Sequence, residues 1–142
     1  MCSILQPSSP LADTMLLDTR FNKLTYEIVG CAMTVHRMLG SGFQEVIYQR
    51  SLAIELHQAG LAFSREIEMP IYYKGIEVGG RRVDFLIDNT VLVELKAVNE
   101  ITPVHAAQMI NYLEAYQLEV GLLINFGQSS LQHKRFLKNH SR

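Results

Sequence analysis

The chain is poor in cysteine, has no excess of positive charge and contains no long apolar run, and each absence narrows what it can be. Its two cysteines, Cys2 and Cys31, form no C-x-x-C pair, so a cysteine-held zinc or iron–sulfur framework is excluded. With so few cysteines and no secretory signal, a reducing, cytoplasmic setting is expected. No apolar stretch approaches the length of a membrane span, so no membrane partner is expected. Thirteen Lys and Arg against fourteen Asp and Glu leave a formal net charge of −1. The strongly basic composition of a tight, non-specific nucleic-acid binder is therefore missing, although a local basic rim remains open. What the chain does have is 48% hydrophobic residues over 142 positions. That suffices for a single domain with a substantial core and excludes a disordered chain.

The most informative stretch is residues 82–96, RVDFLIDNTVLVELK. It reads as two β-rich strands, residues 83–87 and 91–98, joined by a turn at Asp88-Asn89, two residues that tolerate a left-handed backbone. Side chains alternate along a strand, so Glu94 and Lys96 share one face while Val93 and Leu95 share the other. Asp84 on the preceding strand brings a second carboxylate to the same spot if the hairpin register allows it. Two readings stand. One is an exposed hairpin with a cross-strand ion pair, worth at most about 1 kcal/mol. The other is a metal site, with Asp84, Glu94 and the backbone carbonyl of Leu95 offering three hard oxygens to Mg²⁺, or to Mn²⁺ in its place. A cation there would acidify a water and offset charge on a phosphate; Lys96 would orient that water or take its proton.

Residues 1–17 contain Ser and Pro and are weakly patterned, so they are expected to form a mobile extension, with Met15 a candidate natural start; residues 18–142 form the one domain. A first helix is expected from Phe21 or Asn22 to Leu39. Leu24, Ile28, Cys31, Ala32, Val35 and Leu39 make its apolar face, and Gly40-Ser41-Gly42 ends it. His36 and Arg37 suit the negative pole of that helix. A second helix runs from Gln44 to Ala59, with Glu45 in its first turn, where the dipole favours a carboxylate. Tyr48, on the face of Glu45, is either a core aromatic with its hydroxyl bonded or a support for Glu45. A strand over 63–73 carries Pro70, an edge or strand-end signal. Lys74-Gly75 turns into a short strand, 76–78, and Gly79-Gly80 precede Arg81 and Arg82. Arg82 shares a face with Asp84, either neutralising it or contacting a phosphate. After Lys96, Thr102 is a good N-cap and Pro103 suits the first helical position. That helix reaches Gln117, with Gln108 and Tyr112 on one face, either a solvent-facing stripe or part of a site, and His105 a cap-region residue. Residues 120–125 form a buried strand parallel to the Glu94 strand. Residues 131–137 form a last strand or a helical turn, and Lys134, Arg135, Lys138 and Arg142 make the tail locally basic.

Asp84, a nine-residue gap and Glu94-Leu95-Lys96 resemble the D-x(n)-E-x-K signature of the PD-(D/E)xK nuclease superfamily, with Val83 where the name has Pro. Gly42-Phe43-Gln44-Glu45-Val46-Ile47-Tyr48 matches the motif of the GxxExxY family within that superfamily. The likeness runs from about Thr25 to Leu137 and includes residues 35–40, 73–75 and 121–126. It implies a mixed α/β restriction-endonuclease-like fold with an αβββαβ core and an extra N-terminal helix. It also implies a Mg²⁺-dependent nuclease in which Asp84 and Glu94 bind the metal, with Glu45 a further ligand or reaching it through a water, and Lys96 serves the attacking water. Gln108 and Tyr112 resemble a Q-x-x-x-Y motif of the exonuclease branch, where these residues flank the metal site and touch the substrate. DNA is the expected partner. Two other readings stay open: a nucleic-acid-binding or protein-docking module that keeps the fold without turnover, and an enzyme for RNA or nucleotides. Dimerisation would supply a larger groove than one such domain offers.

Overall fold

The computed structural model describes residues 10–138, with side chains from residue 21 onward. The elements are α1 (Pro10–Leu39), α2 (Glu45–Gln58), β1 (Phe63–Tyr73), β2 (Ile76–Ile87), β3 (Val91–Lys96), α3 (Pro103–Tyr116), β4 (Val120–Asn125) and β5 (Gln132–Leu137). The strands form one sheet in the order β1-β2-β3-β4-β5. Every neighbouring pair is antiparallel except β3 and β4, which run parallel because α3 carries the chain across between them. Among the described residues no helix is long and apolar enough to cross a membrane.

Helices cover both faces of the sheet. Ile28, Ala32 and Val35 of α1 and Tyr48, Leu52 and Leu56 of α2 pack with Phe85, Ile87, Val91, Val93, Leu95, Leu122 and Ile124. On the other face Met109, Tyr112 and Leu113 of α3 meet Val83, Leu92, Leu123 and Phe136. Burial on both sides is why β3 and β4 are continuous apolar runs rather than alternating ones. α3 lies so close to β4 that a Cβ on Gly121 would stand 2.4 Å from Met109 Sδ.

The structure differs from the sequence expectations in three boundaries. α1 starts at Pro10 rather than at Phe21 or Asn22; proline is accommodated in the first turn of a helix. Residues 10–17, expected as an unpatterned extension, are therefore helical, and residues 1–9 of that extension lie outside the described residues, as does Arg142. β2 is one strand from Ile76 to Ile87, running through Gly79-Gly80 where a break was expected, because both glycines pair with β1. β3 stops at Lys96. Residues 132–137 resolve the open choice for the last segment as a strand. The turns fall where expected: Lys74 and Gly75 (φ 51° and 78°) and Asp88 and Asn89 (φ 53° and 54°) are left-handed, as hairpin turns that follow the strand twist require.

Candidate active site

The site lies where β2 and β3 part. Their ladder ends at Phe85–Val93. Beyond it the face alternation of β2 inverts: Phe85 belongs to the α1–α2 core, yet Val83, two residues back, belongs to the α3 core. β1 shows the same inversion between Phe63 and Ile67, and Glu66 between them has φ 54°, rare for a side chain of that size. Asp84 sits at this seam.

Its carboxylate replaces a ladder bond. Asp84 Oδ2 accepts from the Leu95 amide at 2.8 Å, Oδ1 accepts from Gln49 Nε2 at 2.6 Å, and the Asp84 amide donates to Glu94 Oε1 at 3.1 Å. Each carboxylate is thus held by a main-chain amide of the opposite strand, Glu94 by that of Asp84 and Asp84 by that of Leu95. Amide and carbonyl of a strand residue point to the same side, so the Leu95 carbonyl also faces the gap where β2 has left β3. Arg81 donates from Nη2 to Glu94 Oε2 at 3.1 Å, and its guanidinium lies 5.9 Å from the centre of the Tyr112 ring.

Glu94 is only 3% exposed. Burial, then the charge of Asp84, push its pKa above the usual carboxylate range, and the bonds from Arg81 and the Asp84 amide only partly oppose them. On Arg81 burial works against the charge, but the hydrogen bond and charge of Glu94 outweigh it and its pKa is raised. Burial also raises the Tyr112 pKa, with Arg81 opposing and Glu94 adding to the rise. Glu94 is therefore paired with one guanidinium, while no cation bonds Asp84 among the described residues.

Of the residues singled out from the sequence, Asp84, Glu94 and Leu95 come together directly, and Tyr112 reaches them through Arg81. Lys96 is half-buried two positions beyond Glu94 on β3, hence on its face; Gln108 is half-buried one turn before Tyr112 on α3. Two expectations change, and the choice left open for Tyr48 resolves as a core aromatic with its hydroxyl bonded. Arg82 does not meet Asp84: it is the cross-strand partner of Glu68 and pairs with it at 3.0 Å in solvent, because the inverted alternation turns it away. Glu45 is exposed at the start of α2, and the α2 residue against Asp84 is Gln49, one helical turn later. Tyr48 is fully buried; its hydroxyl donates to the Gly40 carbonyl at 2.6 Å and accepts from the Phe43 amide at 3.2 Å. It closes the loop around Gly42, whose φ of 110° suits glycine. His105 caps α3, its Nδ1 accepting from the Thr102 amide and its own amide donating to Thr102 Oγ1. The residues missed from the sequence are Gln49 and Arg81. Spacing alone could have offered Gln49, four residues after Glu45, but strand alternation points to Arg82 rather than Arg81.

The segment after Lys96 is clipped by a buried, satisfied Asn125. Its Oδ1 accepts from the Val98 and Gly127 amides at 3.0 Å each, and its Nδ2 donates to the Val98 carbonyl at 2.9 Å and to Gln132 Oε1 at 3.1 Å. A Cβ on Gly127 would fall 2.3 Å from the Val98 carbonyl oxygen.

Residues 22–136 match the family model of the PD-(D/E)XK nuclease superfamily. The chain belongs to this superfamily. No curated protein matches it. Among solved structures, that of SSO0001 is 19% identical, with 84% of this chain and 61% of that chain aligned at a TM-score of 0.54; it shares the fold. Two structures of the alkaline exonuclease LHK-Exo from Laribacter hongkongensis are each 16% identical. One aligns over 61% of this chain and 52% of that chain with a TM-score of 0.46. The other, in complex with dAMP, aligns over 77% and 68% with a TM-score of 0.48. The chain thus spans 52% to 68% of the length of the LHK-Exo chains and 61% of that of SSO0001.

Within the superfamily member, the donors at the seam are all oxygen: two carboxylates and the Leu95 carbonyl. No cluster of three or more His, Cys, Asp or Glu side chains lies together among the described residues, so waters or a phosphate would fill the remaining positions. Few protein oxygens, one of the carboxylates without a bonded cation, fit a hard divalent cation that keeps much of its hydration.

Proposed function

We propose that the chain is a nuclease dependent on a divalent cation, Mg²⁺ first and Mn²⁺ in its place, that hydrolyses phosphodiester bonds in DNA. The observation that carries this reading is the interlocked pair of Asp84 and Glu94 beside the free edge of Leu95, with Lys96 on the Glu94 face. A site of this form costs stability, since it leaves two acids close together in a buried seam, and hydrolysis of phosphate esters is a use for it.

Asp84, Glu94 and the Leu95 carbonyl hold the cation. Bound there, it supplies Lewis acidity and offsets charge on the phosphate. The Leu95 amide and Gln49 Nε2 fix the Asp84 carboxylate in one orientation, so no reorganisation is needed when the phosphate arrives. Lys96 Nζ orients the attacking water and takes up part of the negative charge that develops as the water oxygen bonds phosphorus and the ester oxygen leaves. Gln108 and Tyr112 of α3 border the same face and contact the substrate backbone. Glu45, one turn ahead of Gln49 and open to solvent, serves the rim. With a net charge of −1, the grip on nucleic acid is local rather than global.

The test is release of labelled fragments from single-stranded DNA, duplex DNA and RNA with Mg²⁺ or Mn²⁺, alongside Asp84→Ala. Metal-dependent release from DNA, absent in the variant, supports the proposal. Release from RNA alone moves the substrate class, and cation binding without release from any substrate favours a binding module.

A further inference from the structure

Glu94 already has a cation, and it is held in an unusual way. Arg81 spends Nη2 on Glu94 Oε2 at 3.1 Å, and its Cζ lies 5.9 Å from the centre of the Tyr112 ring. Its Nε is buried and makes no hydrogen bond. The Glu94 side chain is 4% exposed, whereas that of Arg81 is 37% exposed, so the guanidinium closes the carboxylate from the solvent side. A guanidinium is a planar fork, strongest when two of its N–H groups meet two oxygens of one carboxylate or phosphate. Here the fork is used on one prong while a second donor is stranded, an arrangement with a bond left to gain.

We infer that Arg81 is an exchangeable counter-ion, which holds Glu94 Oε2 before a divalent cation binds, yields that oxygen to the cation, and then takes a non-bridging phosphate oxygen pair of the nucleic acid. The inference rests on the proposed nuclease reading and deepens it. A divalent ion on Oε2 would stand close to the guanidinium that bonds the same oxygen, and the like charges repel, so its arrival favours release of the singly charged guanidinium. Arg81 is tied to β2 three residues before Asp84, and the Tyr112 ring lies within cation–π reach of its guanidinium. The displaced guanidinium therefore stays at the mouth of the carboxylate pair rather than leaving it. A phosphate there pairs both Nε and an Nη, which satisfies the donor that is stranded now. Cation and nucleic acid then assist one another through Arg81, and that coupling is reciprocal.

The experiment uses the full chain as wild type, Arg81→Gln and Arg81→Lys. Mn²⁺ is titrated by calorimetry without nucleic acid. Binding of a fluorescein-labelled DNA oligonucleotide is followed by anisotropy with and without Ca²⁺, and melting curves check folding. At a pH high enough that Glu94 is ionised in both proteins, Arg81→Gln should bind Mn²⁺ about fivefold or more tightly than wild type, because the competing guanidinium is gone, and should lose about as much of the cation-induced gain in DNA affinity. Arg81→Lys keeps a competing charge without the fork. It should bind Mn²⁺ much as wild type does and still lose the gain for DNA. Unchanged or weaker Mn²⁺ binding in a folded Arg81→Gln overturns the exchange and leaves Arg81 an ordinary ion pair. Absence of Mn²⁺ binding in wild type overturns the nuclease reading as well, so the two failures are told apart.

Discussion

Replacing Tyr48 by Phe separates a loop clamp from a chemical role for the G-x-x-E-x-x-Y stretch. Only the hydroxyl goes; the ring, fully buried and stacked on Phe126 at 4.5 Å between centroids, remains. Two hydrogen bonds are lost, one to the Gly40 carbonyl at 2.6 Å and one from the Phe43 amide at 3.2 Å. At about 0.5–1.5 kcal/mol net for each, the variant should be destabilised by about 1–3 kcal/mol. An unfolding entropy near 2.1 cal/mol/K per residue comes to roughly 0.3 kcal/mol/K for a chain of this length, so Tm should fall by about 3–10 °C. Circular dichroism melts measure this, and Mn²⁺ calorimetry well below Tm should give an affinity within about twofold of wild type, a difference of about 0.4 kcal/mol. An unchanged Tm together with lost cation binding would refute the clamp and place the tyrosine in the metal site.

Other consequences follow from the same geometry. The raised pKa of Glu94 means that, between the ordinary glutamate pKa and the raised one, the folded state binds more protons than the unfolded one. Stability from this group is therefore present at low pH and lost as pH rises through the raised pKa. Urea denaturation of wild type against Glu94→Gln across pH should show a loss in wild type that is smaller in the variant, and the opposite slope would contradict it. Cation binding should strengthen over the same rise in pH as the proton leaves. Gly127→Ala drives a Cβ into the Val98 main chain, 2.3 Å from its carbonyl oxygen, and should cost about 1–3 kcal/mol. Because residues 97–98 follow Lys96 directly, cleavage should fall with it. Gly121→Ala meets side-chain atoms only, Met109 at 2.4 Å and Leu113 at 3.3 Å, rather than main chain, and should be milder in both denaturation and activity assays.

Much of this fold is legible in the chain. Asp88-Asn89 and Lys74-Gly75 announce their turns, the apolar face of α1 packs as its spacing implies, and the helix capped by Thr102 makes the β3–β4 pair parallel. The proximity of Asp84 to Glu94 is legible too, but only as a condition on register. What the sequence could not show depends on the inverted alternation near Glu66 and Asp84. Strict alternation puts Arg82 beside Asp84; the inversion sends Arg82 to Glu68 and leaves Arg81 against Glu94. Gln49 is hidden for a related reason. Asp84 turns into the seam rather than squarely onto one face, so an α2 residue from the opposite layer can reach it. Gly79-Gly80 read as a break because glycine weakens strands in general, yet pairing with β1 carries the strand through them.

The most direct test of the central claim is cleavage of labelled linear and circular DNA with Mg²⁺ or Mn²⁺, comparing wild type with Lys96→Ala, which leaves Asp84, Glu94 and the Leu95 carbonyl in place. The account predicts that both proteins bind Mn²⁺ and that only wild type cuts, with the circular substrate telling internal from end-directed cleavage. Equal cutting by both would remove Lys96 from the chemistry, and a wild type that neither cuts nor binds Mn²⁺ would contradict the account and make the Asp84–Glu94 pair purely structural.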